Sequence, residues 1–362
     1  MHFQVERAHL LSALQATVPL SLAKSTIPIL RNVQLATEPG QITVTATDTE
    51  VRMQVSVPAI VDAAGTTTVP AKQLLDIVSL IQTDAMIDAA MEGERLRVKA
   101  GRSVSRLPTL SADEFPAFTS GDTPGRVSVL AEDWKAATAA VTFAASDEQT
   151  RYYLCGIHIH EQDGALRFVA TNGHILSLHD CACVGALHQS VIVPSAAVAA
   201  IDKMATRAET LEFEQGPTLM RVRIPGAEFT TRLVDGSFPD YTRVIPTHLP
   251  HRLTLPVKSM MESAKRVMVV STEKTRTIAV TFAKSGSVTL RSTSSEGGES
   301  VDEIETQNAG PDLTVGFNGK YLLSVLDSLD AESAIVDIGD ASSPAVWRDG
   351  KNGLRVLMPM RV

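Results

Sequence analysis

The chain writes one pattern three times across 362 residues. The run Gln41-Ile42-Thr43-Val44-Thr45-Ala46-Thr47-Asp48 is echoed by Ala165-Leu166-Arg167-Phe168-Val169-Ala170-Thr171-Asn172. It returns more faintly as Ser287-Val288-Thr289-Leu290-Arg291-Ser292-Thr293-Ser294. Each copy is followed by a strand end running into a helix, at Pro70, Pro194 and Asn318, which lie 124 residues apart in both steps. Solenoid units run about 20–50 residues, so repeats this long are whole domains. Such a chain works through the geometry of assembled domains rather than through one active site.

Each third opens with an alternating strand and an amphipathic helix. Phe3 and Val5 lead into Leu10, Leu11 and Leu14; Val127 and Val129 into Trp134, Ala137 and Val141; Leu253 and Leu255 into Met260, Met261, Ala264 and Val267. This spacing buries one helix face. Two alternating strands follow, joined by Pro39-Gly40, Asp163-Gly164 and Ser285-Gly286, which are turn sequences. Second helices are expected near 71–82, 195–206 and 319–329, with further alternating runs at Leu96/Val98, Val222/Ile224 and Leu354/Val356. Short helices with one apolar stripe predict an α+β fold: three similar domains, each with two helices on one face of an antiparallel sheet. The linker-like stretches 120–125 and 246–250 place the domains at 1–122, 123–249 and 250–362.

Aromatic residues make up only 4% of the chain, so the cores are aliphatic. No run reaches the 18 or so apolar residues of a membrane helix, and Met1–Arg7 lacks a signal-peptide layout. Three cysteines, Cys155, Cys181 and Cys183, fit reduced thiols better than a disulfide framework. A cytoplasmic protein is expected. The net charge of −8 argues against a simple nucleic-acid binder. The charge is unevenly spread, however. The six helical windows hold nine basic residues (Arg7, Lys72, Lys135, Lys203, Arg207, Lys258, Lys265, Arg266, Lys320) against seven acids. Acidity therefore sits on strands and loops, and a shared helix face could meet phosphates. Lys and Arg are also simply good helix formers on solvated faces.

Several stretches resemble the bacterial DNA sliding clamps, the beta-subunit family of DNA polymerase III. They are Thr26-Ile27-Pro28-Ile29-Leu30, Arg151-Tyr152-Tyr153-Leu154, Thr171-Asn172-Gly173-His174, Leu233-Val234-Asp235-Gly236, Phe238-Pro239-Asp240-Tyr241 and Met358-Pro359-Met360-Arg361-Val362. The resemblance covers essentially the whole chain. It implies a non-catalytic processivity factor without cofactors: a head-to-tail homodimer closed into a six-domain ring, its helices lining a hole around duplex DNA. It implies partners too: the replicative polymerase, the clamp loader and repair proteins, each inserting a short apolar peptide into a pocket. Carried over, that pocket comprises Leu154, Thr171, Gly173, His174, Leu176, Pro239, Arg243, Val244, Asn318, Tyr321, Val356, Met358, Pro359, Met360 and Arg361. Ile175, where the family commonly has Arg, together with Thr275 and Pro344, departs from the pattern and leaves peptide preference open. The DNA-facing set is Lys24 in the loop before Thr26, Lys72 at a helix start, and the helix cations Lys135, Lys203, Lys258, Lys265 and Arg266. The loop Ser146-Asp147-Glu148-Gln149 is acidic, a poor neighbour for phosphate. The ring seam is expected between the strand Arg102 to Leu107 and an acidic edge around Glu296, Glu299 and Glu303, with Val269 and Val270 alongside. Ser105 stands there in place of the family's aromatic anchor.

A metal site is the chemical rival. His158-x-His160 puts two imidazoles on one strand face, and Cys181-x-Cys183 follows, but neither spacing matches closed zinc sites. No nucleophile motif or phosphate-binding glycine loop is present, and Gly297-Gly298 reads as a turn. A protein scaffold that never meets DNA is the remaining alternative.

Overall fold

The computed structural model describes residues 1–21, 25–118, 122–271, 276–295, 297–306 and 311–361. Six α-helices carry the apolar stripes: α1 Arg7–Ser21, α2 Ala71–Leu80, α3 Ala131–Val141, α4 Ser195–Ala205, α5 Val257–Met268 and α6 Gly319–Asp327. The buried faces follow the expected spacing, as in Leu10, Ala13, Leu14, Thr17 and Val18 of α1, and Met260, Ala264 and Val267 of α5. α1 runs through Pro19. There the Thr17 hydroxyl donates to the Ala13 carbonyl at 2.9 Å and the Ser21 hydroxyl to the Val18 carbonyl at 2.8 Å, supplying bonds in the turn that a proline weakens.

The three echoed runs are seven-residue strands, Gln41–Thr47, Ala165–Thr171 and Ser287–Thr293, each paired antiparallel with the strand before it. The turns at Gly40, Gly164 and Gly286 have φ of +81°, +80° and +88°, which glycine adopts without steric cost. The strand-to-helix junctions are equally regular: Gly65–Pro70 enters α2, Val191–Pro194 enters α4 and Leu313–Asn318 enters α6.

The sheets run on from one repeat into the next. The chain forms two compact units, residues 1–128 with 203–233, and residues 129–202 with 234–362. In the first, Ala227–Arg232 pairs with Val51–Pro58, joining Thr210–Gln215 and Leu219–Ile224 to the sheet of Gln41–Thr47, Asn32–Glu38 and Gly65–Pro70. A separate five-stranded sheet ends on Ser103–Pro108. In the second unit, Gly353–Leu357 pairs with Ile175–Cys181, so strands of the second and third repeats share an eight-stranded sheet. A four-stranded sheet there ends on Glu299–Glu305. Alternation assigns a strand's faces but not its partner, which long-range packing selects. The stretch 246–250 is also no free linker, because Leu249, like Ile245, packs on a core cluster.

The core of the second unit includes Trp134, whose ring meets Phe168 edge-on at 5.3 Å and whose Nε1 donates to Asp202 at 2.7 Å. Burial raises the Asp202 pKa, and hydrogen bonds from Thr138 and Trp134 pull it back. Buried Arg355 donates to the Ser328 carbonyl at 2.6 Å and pairs with Asp349 at 3.0 Å, tying strand Gly353–Leu357 to the end of α6.

Candidate functional site

Within the second unit, the turn after strand Ala165–Thr171 fixes one end of a groove. The Thr171 hydroxyl donates to the Ile175 carbonyl at 2.7 Å and accepts from Gly173 N at 3.1 Å. The Asn172 side-chain oxygen accepts from His174 N and Ile175 N, both at 2.9 Å. Gly173 has φ +88°, which favours glycine, and a Cβ there would meet Arg151 Nη1 at 3.0 Å, so the arginine tip would have to give way. The turn throws His174 outward and returns Leu176 inward.

Leu176 lies opposite Val356 across the strand pair. Both belong to a buried cluster with Val169, Leu178, Tyr241 and Val346. Beyond the strand, Met358 N donates to the His174 carbonyl at 3.0 Å and Met360 N to the Gly316 carbonyl at 2.8 Å. These bonds leave the methionine side chains 36% and 41% exposed. Asn318 is a helix cap: its side-chain oxygen accepts from Lys320 N at 3.0 Å and Tyr321 N at 3.4 Å. It thereby sets Tyr321, whose ring stacks on His174 with centroids 5.5 Å apart. On the other side a 3₁₀ turn, Tyr241–Val244, is capped by Asp240, which also pairs with Arg243 at 3.0 Å. Tyr241 anchors that turn in the cluster, and Pro239, Arg243 and Val244 stay exposed. Leu154 is buried at the end of the 3₁₀ segment Gln149–Leu154, which also carries Arg151.

The result is an apolar site with a buried aliphatic floor and an adaptable methionine rim, suited to a short apolar ligand of variable sequence. At Met360 it adjoins a cleft of about 570 Å³ lined by Thr314, Gly316, Ala341, Ser342, Pro359, Met360 and Arg361. Sequence reading did not name Thr314, Gly316, Ala341 or Ser342, although the small-polar stretch before Pro344 marked the place. The Asp340 carboxylate accepts from Ser342 N at 2.8 Å and holds that turn. Ile175 is 2% exposed and pairs with Leu357 across the strands. Thr275 lies outside the described residues.

The cations divide. Lys72 pairs with Asp76 at 3.1 Å, and Arg266 makes two bonds to Asp302 at 2.8 and 2.6 Å. Both cations are thus engaged with carboxylates while staying exposed. Lys203, Lys258 and Lys265 are exposed and form no ion pair among the described residues, and Lys135 is half-buried. Lys24 lies outside them. In the acidic loop, Glu148 is held by Arg151 and by Thr150. The loop's Asp147 lines a cleft of about 660 Å³ with Asp235, Tyr152, Cys155 and Ser195.

At the expected seam, Ser103–Pro108 and Glu299–Glu305 are both edge strands. Leu107 is a correction, because it is 5% exposed and packs into its own unit; the outward apolar residue is Val104, at 45%. Val269 is 83% exposed, Val270 approaches Gly298, Arg102 is exposed in the turn before its strand, and Glu296 lies outside the described residues. Among the described residues no His, Cys, Asp and Glu group could hold a metal, and no helix is long and apolar enough to cross a membrane.

Comparison with known proteins agrees along the whole chain. The DNA polymerase III beta subunit family models match in order: the N-terminal domain over residues 1–119, the central domain over 129–240 and the C-terminal domain over 242–361. The beta sliding clamp of Caulobacter vibrioides is 34% identical and that of Escherichia coli K12 31%, each alignment covering 100% of both chains. A Caulobacter crescentus polymerase III beta structure superposes with a TM-score of 0.95 at 34% identity, covering 100% of both chains. So does a Pseudomonas aeruginosa sliding clamp bound to griselimycin, with a TM-score of 0.95 at 32% identity. This chain belongs to the DNA polymerase III beta subunit family, the bacterial beta sliding clamps, which are non-catalytic processivity factors.

Proposed function

We propose that this chain tethers the replicative polymerase, and with it the clamp loader and repair proteins, through the groove of Leu176, Val356, Met358 and Met360. The observation that carries this reading is the exposure of two methionines and Val244 above a buried aliphatic floor. The griselimycin bound to the Pseudomonas relative supports a ligand site on this fold. Tethering raises the polymerase's local concentration at the primer end without any chemistry by the clamp. Two copies form a ring of domains 1–122, 123–249 and 250–362. The ring holds duplex DNA topologically, and Lys72, Lys135, Lys203, Lys258 and Lys265 supply weak, sequence-independent phosphate contacts.

The two free edges support a specific seam. In an antiparallel register that sets Val104 opposite Val301, Arg106 meets Glu299 and Arg102 meets Glu303. Shifting by two residues in either direction loses the apolar pair and at least one ion pair. Val104 and Val301, 45% and 54% exposed, become the apolar centre. The test of the groove is fluorescence polarisation with a labelled short apolar peptide from the cognate polymerase and griselimycin as competitor. Saturable peptide binding that griselimycin displaces is expected, and an inert protein would refute the reading.

A further inference from the structure

The imidazoles of His158 and His160 are used neither by the groove nor by a metal, yet both are engaged. They point to the same face of strand Gly156–Gln162. The His158 ring lies flat on Phe238, centroids 4.6 Å apart and planes 5° apart. His160 Nδ1 is 3.0 Å from the Glu161 carbonyl oxygen, and its Nε2 is 2.9 Å from the Tyr241 hydroxyl. A carbonyl only accepts, so Nδ1 carries the proton and Nε2 accepts from Tyr241. Arg167, held by Asp180 at 2.6 and 2.7 Å, has its pKa raised chiefly by that pair and further by the nearby Tyr241. The bonds thus run one way, from Tyr241 through His160 to the Glu161 carbonyl.

Phe238 and Tyr241 are the two inward anchors of the segment that presents Pro239, Arg243 and Val244 to the groove. Tyr241 also packs in the cluster that holds the groove floor, Leu176 and Val356. We propose that His158 and His160 are positioning residues for the peptide groove, setting the height and orientation of its 238–244 wall. The inference rests on the peptide-binding reading above. A wall fixed before binding loses less freedom when ligand arrives, and a shift of one ångström at the wall uncovers apolar contact. Burial pushes the His158 pKa down to about 4, which keeps its ring uncharged against Phe238.

The test uses the full chain and the labelled polymerase peptide at 25 °C, with melting temperatures measured alongside. His160→Phe removes the acceptor and should weaken binding about tenfold. Tyr241→Phe should give the same loss, and the double variant no more than either alone. His160→Gln, whose amide oxygen can accept from Tyr241, should recover affinity to within threefold of wild type. A purely structural role would shift melting without this pattern in affinity. Because Tyr241→Phe deletes one oxygen, it keeps the test decisive if His160→Phe folds poorly. Wild-type affinity in both single variants, or losses that simply add, overturns the positioning role alone. A wild-type chain that fails to bind the peptide overturns the groove reading itself.

Discussion

Two places in the molecule share one backbone plan and differ in what fills it. After strand Gln41–Thr47, the Thr47 hydroxyl donates to the Val51 carbonyl at 2.7 Å, and Asp48 accepts from Glu50 N and Val51 N at 2.9 and 2.8 Å. After strand Ala165–Thr171, Thr171 and Asn172 make the same bonds 124 residues later. Thr49 has φ +82° where Gly173 has +88°. Arg232 N donates to the Glu50 carbonyl at 2.9 Å just as Met358 N donates to that of His174 at 3.0 Å. Side chains then part company. The first site holds Glu50, Arg52, Thr230 and Arg232, with Arg232 lying 5.9 Å from the Phe118 ring centroid and 3.8 Å from Glu50. The second holds His174, Leu176, Val356 and Met358. The fold supplies the cradle twice, and only the second copy is lined for an apolar ligand.

Giving the second site the first site's chemistry should have the largest effect. Met358→Arg with His174→Glu introduces an ion pair at exposed positions. Peptide affinity should fall about a hundredfold, near 2.7 kcal/mol, with the melting temperature almost unchanged; retained affinity would break the comparison.

A second contrast is in titration. His158 and His160 have Gln34 and Ala36 at the matching positions of the first repeat, so acid sensitivity should attach to the second site. The folded His158 pKa of about 4 lies below its ordinary 6.5, so the unfolded chain binds the extra proton between those values. Its contribution is intact above pH 6.5 and fades as pH falls toward 4, the loss amounting to about 2 kcal/mol at pH 5. Melting curves of wild type and His158→Leu at pH 7.5 and 5 should show the smaller acid shift in the variant.

Smaller effects come from the turns. Gly173→Thr should destabilise by about 1–2 kcal/mol, because the added Cβ crowds Arg151 as well as straining φ. Thr49→Gly should relieve strain and cost almost nothing. Arg232→Met should change stability by less than about 1 kcal/mol, the scale of an exposed ion pair. It should create no peptide site, since Arg52 and Thr230 remain.

The helices, the glycine turns and the repeat were legible because they depend on residues close in sequence. Pairing was not: Ala227–Arg232 and Gly353–Leu357 alternate as any strand does, and nothing local says that each joins the sheet of the preceding repeat. The groove's residues were read mainly by family likeness, and the structure brings His174, Leu176, Tyr321, Val356 and Met358 together. Leu107 faces inward, a matter of where one side chain points, which residue type does not encode. Ala341 and Ser342 went unnamed because small residues in a turn carry little sign that a neighbouring segment crosses them.

The most direct test of the whole account is primer extension on a circular template with the cognate polymerase and clamp loader. It would compare the full chain with one lacking residues 358–362. Losing about 100 Å² of apolar contact would cost roughly 2.5 kcal/mol of peptide binding. The full chain should give long products. The shortened chain should still stay on circular DNA yet give short products. Long products from the shortened chain, or none from the full one, would contradict the account.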